Sequence, residues 1–307
     1  MRVLFAGSAE FSLPVLEALA ASHHPVVAVV TAPDRPGSRG AMAPRPVRDL
    51  ALDLGLPLLQ PRRLTDVWER AVEAHRPQVL LVAAYGQLLP ASMLGTLPFG
   101  GLGVHPSLLP RHRGASPVAA AILAGDERTG TTIFRMDDRL DAGPVLLQAT
   151  LPVAPDATSL TLGAELSRLG GRLAVRALDL LDRGSCPEKP QAEALVSYSH
   201  RLQRKDGDLS WSQPAMEIDR RLRALTPWPG VTVPIEGRRV KLLQGALVEG
   251  PAGQPGEAVE RMGETVVMAT AEGAFRVELI QPPGGRPMTP LAFLRGRQSR
   301  GAGHSDA

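Results

Sequence analysis

The chain has 307 residues, 44% of them hydrophobic and 21% charged, which is typical of a globular protein and excludes a disordered chain. No apolar run approaches the roughly 18–20 residues of a membrane span, and the opening segment has no signal-peptide pattern. The single cysteine, Cys186, excludes an internal disulfide. We therefore expect a cytoplasmic protein. The formal net charge is +3. Of the 34 basic residues, three are lysines and 31 are arginines, a bias that fits either a polyanionic partner or arginine-favouring codon usage.

The first hundred residues alternate between continuous apolar runs and amphipathic segments. Apolar strands are predicted over Arg2–Gly7, Pro25–Asp34 and Gln78–Gly86, helical periodicity covers Ser12–Ser22, and a loop followed by a helix is predicted over Ala43–Gly55. Continuous apolar strands separated by helices indicate a parallel sheet covered on both faces, so we predict a doubly wound α/β domain. In such sheets a ligand binds beyond the carboxyl ends of the strands.

Beyond residue 129 the pattern changes. Gly130–Val153 alternates around a turn and predicts a β-hairpin, and Ser159–Gly184 predicts a long amphipathic helix with a break near Gly170–Gly171. After residue 205, short strand-like runs divided by Gly and Pro predict a small antiparallel barrel, and the tail from Arg295 reads as disordered. We therefore expect a first domain over 1–184, a linker over 185–204 and a second domain over 205–307.

One of the seven histidines lies in a restricted backbone. His105 follows a predicted buried strand, within the Gly- and Pro-rich stretch "GLGVHPSLLPRHRGASP". Asp141 lies in the turn "RLDAG", where it serves either the turn alone or an imidazole that it orients and holds protonated. Metal-ligand spacing is absent from the sequence, so we predict no metal. Five other histidines lie among polar or terminal residues and are predicted to be solvated: His23, His24, His75, His200 and His304.

Four segments, in order along the chain, carry a resemblance to a known family: "AYGQLLP" (Ala84–Pro90), "VHPSLLPRHRGASP" (Val104–Pro117), "GDERTGTTIFRMDDRLDAGPV" (Gly125–Val145) and "LTPWPGVTVPIEGRRVKL" (Leu225–Leu242). They resemble methionyl-tRNA formyltransferases. The Ser-Leu-Leu-Pro run with the later Leu-Asp-x-Gly is specific to folate-dependent formyltransferases, and the "WPG" region and the second domain narrow the resemblance to the tRNA family. The resemblance extends to about residue 295 and implies a Rossmann-like formyltransferase domain followed by an OB-like β-barrel.

The implied reaction moves a formyl group from 10-formyltetrahydrofolate to the α-amine of methionine on initiator tRNA, without a metal. We expect a monomer and, since no apolar run is long enough to span a membrane, no membrane partner. A related formyltransferase that acts on another amine, a sugar nucleotide or glycinamide ribonucleotide, is the alternative. The barrel and an arginine-containing loop over Asp34–Arg48 favour tRNA.

The resemblance implies a catalytic Asn-x-His pair and a later Asp. His105 and Asp141 match two of these residues, whereas Gly103 stands at the position of the Asn. Losing one donor to the oxyanion typically costs ~10²–10³ in rate. One hypothesis is that protonated His105 carries the oxyanion together with a backbone N–H or water; the other is an impaired homologue that still binds both substrates. The whole sequence contains no asparagine, which favours lineage drift over a lesion at one site.

Two further groups of residues carry over from the resemblance. Two segments are expected to form the folate pocket through backbone amides and an apolar slot: Ser107, Leu108, Leu109 and Pro110, with Tyr85, Gly86, Gln87 and Leu88. Basic residues of the Asp34–Arg48 loop and of the linker are expected to contact tRNA phosphates, although a solvated surface would look the same: Arg35, Arg39, Arg45, Arg204 and Lys205.

Overall fold

The computed structural model describes residues 1–34 and 45–301, with side chains described as far as Arg295. The chain forms two compact units, one of Met1–Ala121, Glu127–Ala154 and Leu160–His200, the other of Ile122–Asp126, Pro155–Ser159 and the chain from Arg201 onward. The helices are α1 (Leu13–Ala20), α2 (Pro46–Asp53), α3 (Trp68–His75), α4 (Ala91–Leu94), α5 (Pro117–Ala124), α6 (Ser159–Asp182), α7 (Ala215–Leu225) and α8 (Pro290–Gly301). The strands are β1 (Val3–Gly7), β2 (Val26–Val30), β3 (Leu58–Leu59), β4 (Val79–Ala83), β5 (Gly101–His105), β6 (Arg113–Gly114), β7 (Arg128–Arg135), β8 (Val145–Pro152), β9 (Tyr198–Ser199), β10 (Val231–Ile235), β11 (Arg238–Val248), β12 (Ala258–Met262), β13 (Thr265–Ala269) and β14 (Ala274–Gln281).

The first unit is built on a seven-stranded sheet in the order β3-β2-β1-β4-β5-β7-β8. The five strands from β3 to β5 are parallel, whereas β7 and β8 form the predicted hairpin and run antiparallel at one edge. The strand order reverses between β1 and β4, and doubly wound sheets bind ligands at such a reversal, beyond the carboxyl ends of the strands. The predicted Rossmann-like fold of this domain is confirmed.

Side chains of β1 explain why its apolar run is continuous. Val3 and Phe5 belong to one buried cluster, which includes residues of α1 and α6, while Leu4 and Ala6 belong to a second cluster, which includes Trp68 of α3. Both faces of the strand are therefore buried, as the sequence predicted.

Helix α6 is continuous, so the predicted break near Gly170–Gly171 is wrong. A Cβ at Gly170 would lie 2.8 Å from Val104 Cγ1, and a Cβ at Gly171 would lie 2.7 Å from the carbonyl oxygen of Pro14. The two glycines let the helix approach β5 and α1 closely, and the packing outweighs the low helix propensity of glycine.

The second unit contains a five-stranded antiparallel sheet in the order β10-β11-β14-β13-β12. Val233 of β10 and Phe275 of β14 are fully buried in it. The predicted small antiparallel β-domain is confirmed. Helix α8 continues to Gly301, so part of the tail predicted to be disordered is helical, while residues 302–307 lie outside the described part. Within the described residues no helix is long and apolar enough to cross a membrane.

Candidate active site

His105 ends β5 at the carboxyl edge of the first sheet. Its side chain is buried, with 6% of the residue exposed, and its Nε2 donates a hydrogen bond to the carbonyl oxygen of His112 at 2.9 Å. His112 has a left-handed backbone (φ 57°), and its N–H donates to Ser197 Oγ at 2.9 Å. The carbonyl partner places a proton on Nε2, so in the neutral ring Nδ1 carries the lone pair.

Asp141 lies in the turn between β7 and β8 with φ 49°. Its Oδ2 accepts the N–H of Gly114 at 2.8 Å, and its carbonyl accepts Gln191 Nε2 at 2.8 Å. These bonds hold the carboxylate 3.7 Å from His105 Nδ1, measured to Oδ2. The structure therefore brings together the histidine and the aspartate that the sequence singled out.

Burial lowers the pKa of the His105 imidazole below its ordinary value of 6.5, while the Asp141 carboxylate and the carbonyl of His112 act in the opposite direction. A lowered pKa favours the neutral ring near pH 7 in the free protein, whereas the sequence analysis expected Asp141 to hold the ring protonated. A neutral imidazole whose Nδ1 lone pair faces a carboxylate is suited to accept a proton as the carboxylate stabilises the resulting cation.

Gly103 lies opposite Phe134 in the β5–β7 register. A Cβ at Gly103 would overlap Phe134 Cε1 and lie 2.5 Å from Cζ. The Phe134 ring is buried and stands at 89° to the His105 ring, with 6.4 Å between the centroids. No side chain, and so no amide donor, fits at position 103 while Phe134 keeps its place.

The predicted folate segment after β5 is fixed to the neighbouring strands. Ser107 is fully buried, and its hydroxyl donates to the carbonyl of Arg111 at 2.6 Å. Thr132 Oγ1 donates to the carbonyl of Ser107 at 2.6 Å and accepts the N–H of Leu109 at 3.2 Å. Gln148 Nε2 donates to the carbonyl of Leu109 at 3.0 Å. Sequence reasoning missed Thr132 and Gln148, because only strand pairing brings them to this segment.

The second predicted folate segment follows β4 and therefore reaches the same carboxyl edge. Tyr85 is buried, and among the described residues its hydroxyl has no hydrogen-bond partner; burial raises the pKa of Tyr85 to about 12. Gln87 accepts the N–H of Leu64 at 3.1 Å and donates to the carbonyl of Arg62 at 3.0 Å. Leu88 is 87% exposed. The segment thus offers one exposed apolar side chain beside an anchored amide.

The predicted tRNA-binding arginines differ in their surroundings. Arg35 and Arg39 lie outside the described residues. Arg45 forms an ion pair with Asp34 at 2.9 Å, so its charge is balanced within the protein. Two predicted residues of the second unit are exposed on a 3₁₀ turn: Arg204 and Lys205.

A buried arginine that the sequence analysis did not single out supports the loop next to the His105–Asp141 pair. Arg113 of β6 is 2% exposed, and it donates to Gln191 Oε1 at 3.0 Å and to Glu193 Oε1 at 3.2 Å. Gln191 also binds the backbone of Asp141, so Arg113 and Asp141 share a partner. No local sequence pattern reveals this link, since its members lie far apart along the chain.

His24 is buried, so its predicted solvation is wrong. Its Nδ1 lies 2.8 Å from the N-terminal amine of Met1, and its Nε2 lies 2.9 Å from Asp179 Oδ1. His23 Nε2 lies 3.2 Å from the same oxygen. Among the described residues these three side chains bring potential metal-ligating atoms within 4.8 Å of one another. Their hydrogen bonds account for the arrangement without a metal.

Two family models match the chain, "Formyl transferase" over residues 1–178 and "Formyl transferase, C-terminal domain" over residues 201–298. The methionyl-tRNA formyltransferase of Pseudomonas paraeruginosa is 40% identical over 94% of this chain and 93% of its own length. That of a Roseiflexus species is 41% identical over 98% and 94%.

Two solved structures share the fold. HypX from Aquifex aeolicus in complex with tetrahydrofolic acid has a TM-score of 0.68 at 20% identity over 97% of this chain, which spans about half (47%) of HypX. An N-formyltransferase from Helicobacter canadensis, in complex with folinic acid and dTDP-3-aminofucose, has a TM-score of 0.67 at 16% identity over 92% of this chain and 99% of its own.

Proposed function

Because this chain belongs to the methionyl-tRNA formyltransferase family, we propose that it transfers the formyl group of 10-formyltetrahydrofolate to the α-amine of methionine on initiator tRNA. The product is formylmethionyl-tRNA for translation initiation. The observation that carries the proposal is the His105–Asp141 pair, 3.7 Å apart at the carboxyl edge of the sheet and next to the two segments expected to hold folate. Substrates bind at this edge in doubly wound sheets.

The proposed reaction is an acyl transfer. The neutral methionine amine attacks the formyl carbon and forms a tetrahedral intermediate, and His105 Nδ1 accepts the proton that the attacking nitrogen loses. The Asp141 carboxylate stabilises the imidazolium that forms. As the bond from the formyl carbon to N10 of the folate breaks, the imidazolium returns the proton to N10. One C–N bond forms and one breaks, and His105 ends neutral.

The imidazolium also stabilises the negative charge on the formyl oxygen, since it forms as that charge develops. Gly103 provides no side-chain donor for the oxygen, and the N–H of Gly114 is already bonded to Asp141. The imidazolium of His105 therefore contributes a larger share of the stabilisation of the formyl oxygen than it would with an amide donor beside it.

The tRNA side of the proposal rests on the basic residues. We place Arg204 and Lys205 of the second unit, with Arg35 and Arg39 of the first, against tRNA phosphates, where they would set affinity and its salt dependence. Arg45 would join them by exchanging its Asp34 partner for a phosphate. The expected division into domains 1–184 and 205–307 around a linker belongs to the same proposal, as do a monomeric state and a cytoplasmic location, where ribosomes use the product.

Single-turnover formylation of Met-tRNA with 10-formyltetrahydrofolate tests the function. The parent is expected to react, His105→Ala to be slower by about 10²–10⁴, and His23→Ala, a histidine whose side chain is 69% exposed, to match the parent. No turnover by the parent with tRNA still bound would refute the enzyme and leave a binding protein. Turnover with a free sugar-nucleotide amine but not with Met-tRNA would move the function to another acceptor.

A further inference from the structure

Resting on the proposed function, we propose that Phe134 is a positioning residue for His105. Its ring occupies the space that Gly103 leaves open on β5 and packs edge-to-face against the imidazole. Gly103 and Phe134 then act as one unit, since the ring requires a residue without a side chain opposite it.

The strand register supports this assignment. Gly103 pairs with Phe134 and His105 pairs with Thr132. Residues two apart on a strand point to the same face, so Phe134 lies on the face of the sheet that carries His105. The perpendicular rings, 6.4 Å apart at their centroids, have the geometry that aromatic pairs prefer. Phe134 is 4% exposed, so the ring has little room to leave this place.

The ring restricts both the rotation and the hydration of the imidazole. His112 provides the carbonyl that binds Nε2, and Asp141 provides the carboxylate that faces Nδ1. These two residues are also the charged or titratable neighbours that shift the His105 pKa. Phe134 contributes no polar atom, so the part of the imidazole that it contacts is closed to water, and Nδ1 with Asp141 is the polar pair that we assign to the amine.

Phe134→Leu tests the proposal because it removes the aromatic edge but keeps an apolar side chain. Ile133→Val is the matched control, since Ile133 is a fully buried neighbour whose side chain joins the core on the opposite face of the sheet. The first readout is the His105 pKa, followed by ¹⁵N NMR of the imidazole in the free protein. The second is single-turnover formylation, with the affinities for Met-tRNA and folate measured alongside.

For Phe134→Leu we expect the His105 pKa to rise by about half a unit or more, and the rate to fall by about tenfold while both affinities stay within about twofold. Ile133→Val is expected to change none of these. A folded Phe134→Leu protein with the parent's His105 pKa and rate would overturn the proposal. If that variant does not fold, Phe134→Met carries the same measurements.

The second test combines a larger residue at position 103 with a smaller one at position 134. Gly103→Asn alone is expected to displace the ring and to lose rate, whereas Gly103→Asn with Phe134→Leu regains part of that loss because the amide then has room. If the two residues act independently, the rate of the double variant equals the parent's rate multiplied by the two single fold-changes. A double variant that is no faster than this value would contradict the proposal. If the parent does not formylate tRNA, the proposed function fails, and the NMR measurement still decides the role of Phe134.

Discussion

Replacing Asp141 by Asn removes the charge that faces His105 and leaves the local fold in place. Asparagine tolerates the left-handed backbone of this position (φ 49°). Its amide oxygen can still accept the N–H of Gly114, which Asp141 accepts at 2.8 Å. Weakening that charge-assisted bond costs about 1 kcal/mol of stability. The variant therefore isolates the electrostatic contribution of Asp141.

The expected size follows from the distance. At 3.7 Å a unit charge pair contributes roughly 4 kcal/mol at an effective dielectric constant of about 20, and the 19% exposure of the Asp141 side chain leaves most of that in place. If Asp141 stabilises the imidazolium that forms during the reaction, Asp141→Asn should slow single-turnover formylation by about 10²–10³, with the affinities for both substrates unchanged.

Asp137→Asn is the matched control, because Asp137 precedes the same turn and pairs with Arg139 at 3.2 Å. It is expected to keep the parent's rate. Thermal melting of both variants shows whether either has lost its fold. A folded Asp141→Asn protein that reacts within about threefold of the parent would refute the role assigned to the carboxylate.

Three further outcomes are expected. Burial lowers the pKa of His105 in the folded protein, so between that pKa and 6.5 the unfolded chain binds one more proton than the folded protein. The contribution of His105 to the free energy of unfolding is therefore complete above pH 6.5 and decreases as the pH is lowered through that window. In urea unfolding, lowering the pH from 7.5 to 5.5 should reduce the free energy of unfolding of His105→Gln less than that of the parent. In α6, Gly171→Ala should destabilise by about 1–3 kcal/mol, because its Cβ meets a backbone carbonyl, whereas Gly163→Ala, with open space around it, should stabilise by about 0.5–1 kcal/mol; equal shifts in chemical denaturation would contradict this packing. Replacing Arg204 and Lys205 together by Ala should weaken tRNA binding and reduce the salt slope by up to about 2; an unchanged slope in a filter-binding titration would remove them from the interface.

The sequence was informative where the signal is local. Continuous apolar runs predicted the parallel strands, and a histidine and an aspartate next to restricted turns predicted two side chains that the structure brings to 3.7 Å. Thr132 and Phe134 were not predicted, because they reach the site through the β5–β7 register, which no spacing in the chain reveals. The false break in α6 has the opposite origin: glycine is a weak helix former, but close packing against α1 and β5 requires it.

Gly103 illustrates the same limit. From the sequence alone, Gly103 lacks a side-chain donor for the oxyanion, and Gly103→Asn is the substitution that would restore one. In the structure the space is filled by Phe134, so a single Gly103→Asn change adds an amide and displaces a ring at once. In the role proposed for it, the ring favours a neutral His105 by excluding water, and in the proposed reaction a neutral His105 takes the amine proton directly. A cation then appears beside the formyl oxygen when the negative charge develops there. The cost of the glycine therefore depends on how much of that charge the imidazolium balances, and the double exchange with Phe134 measures this quantity where the single change cannot.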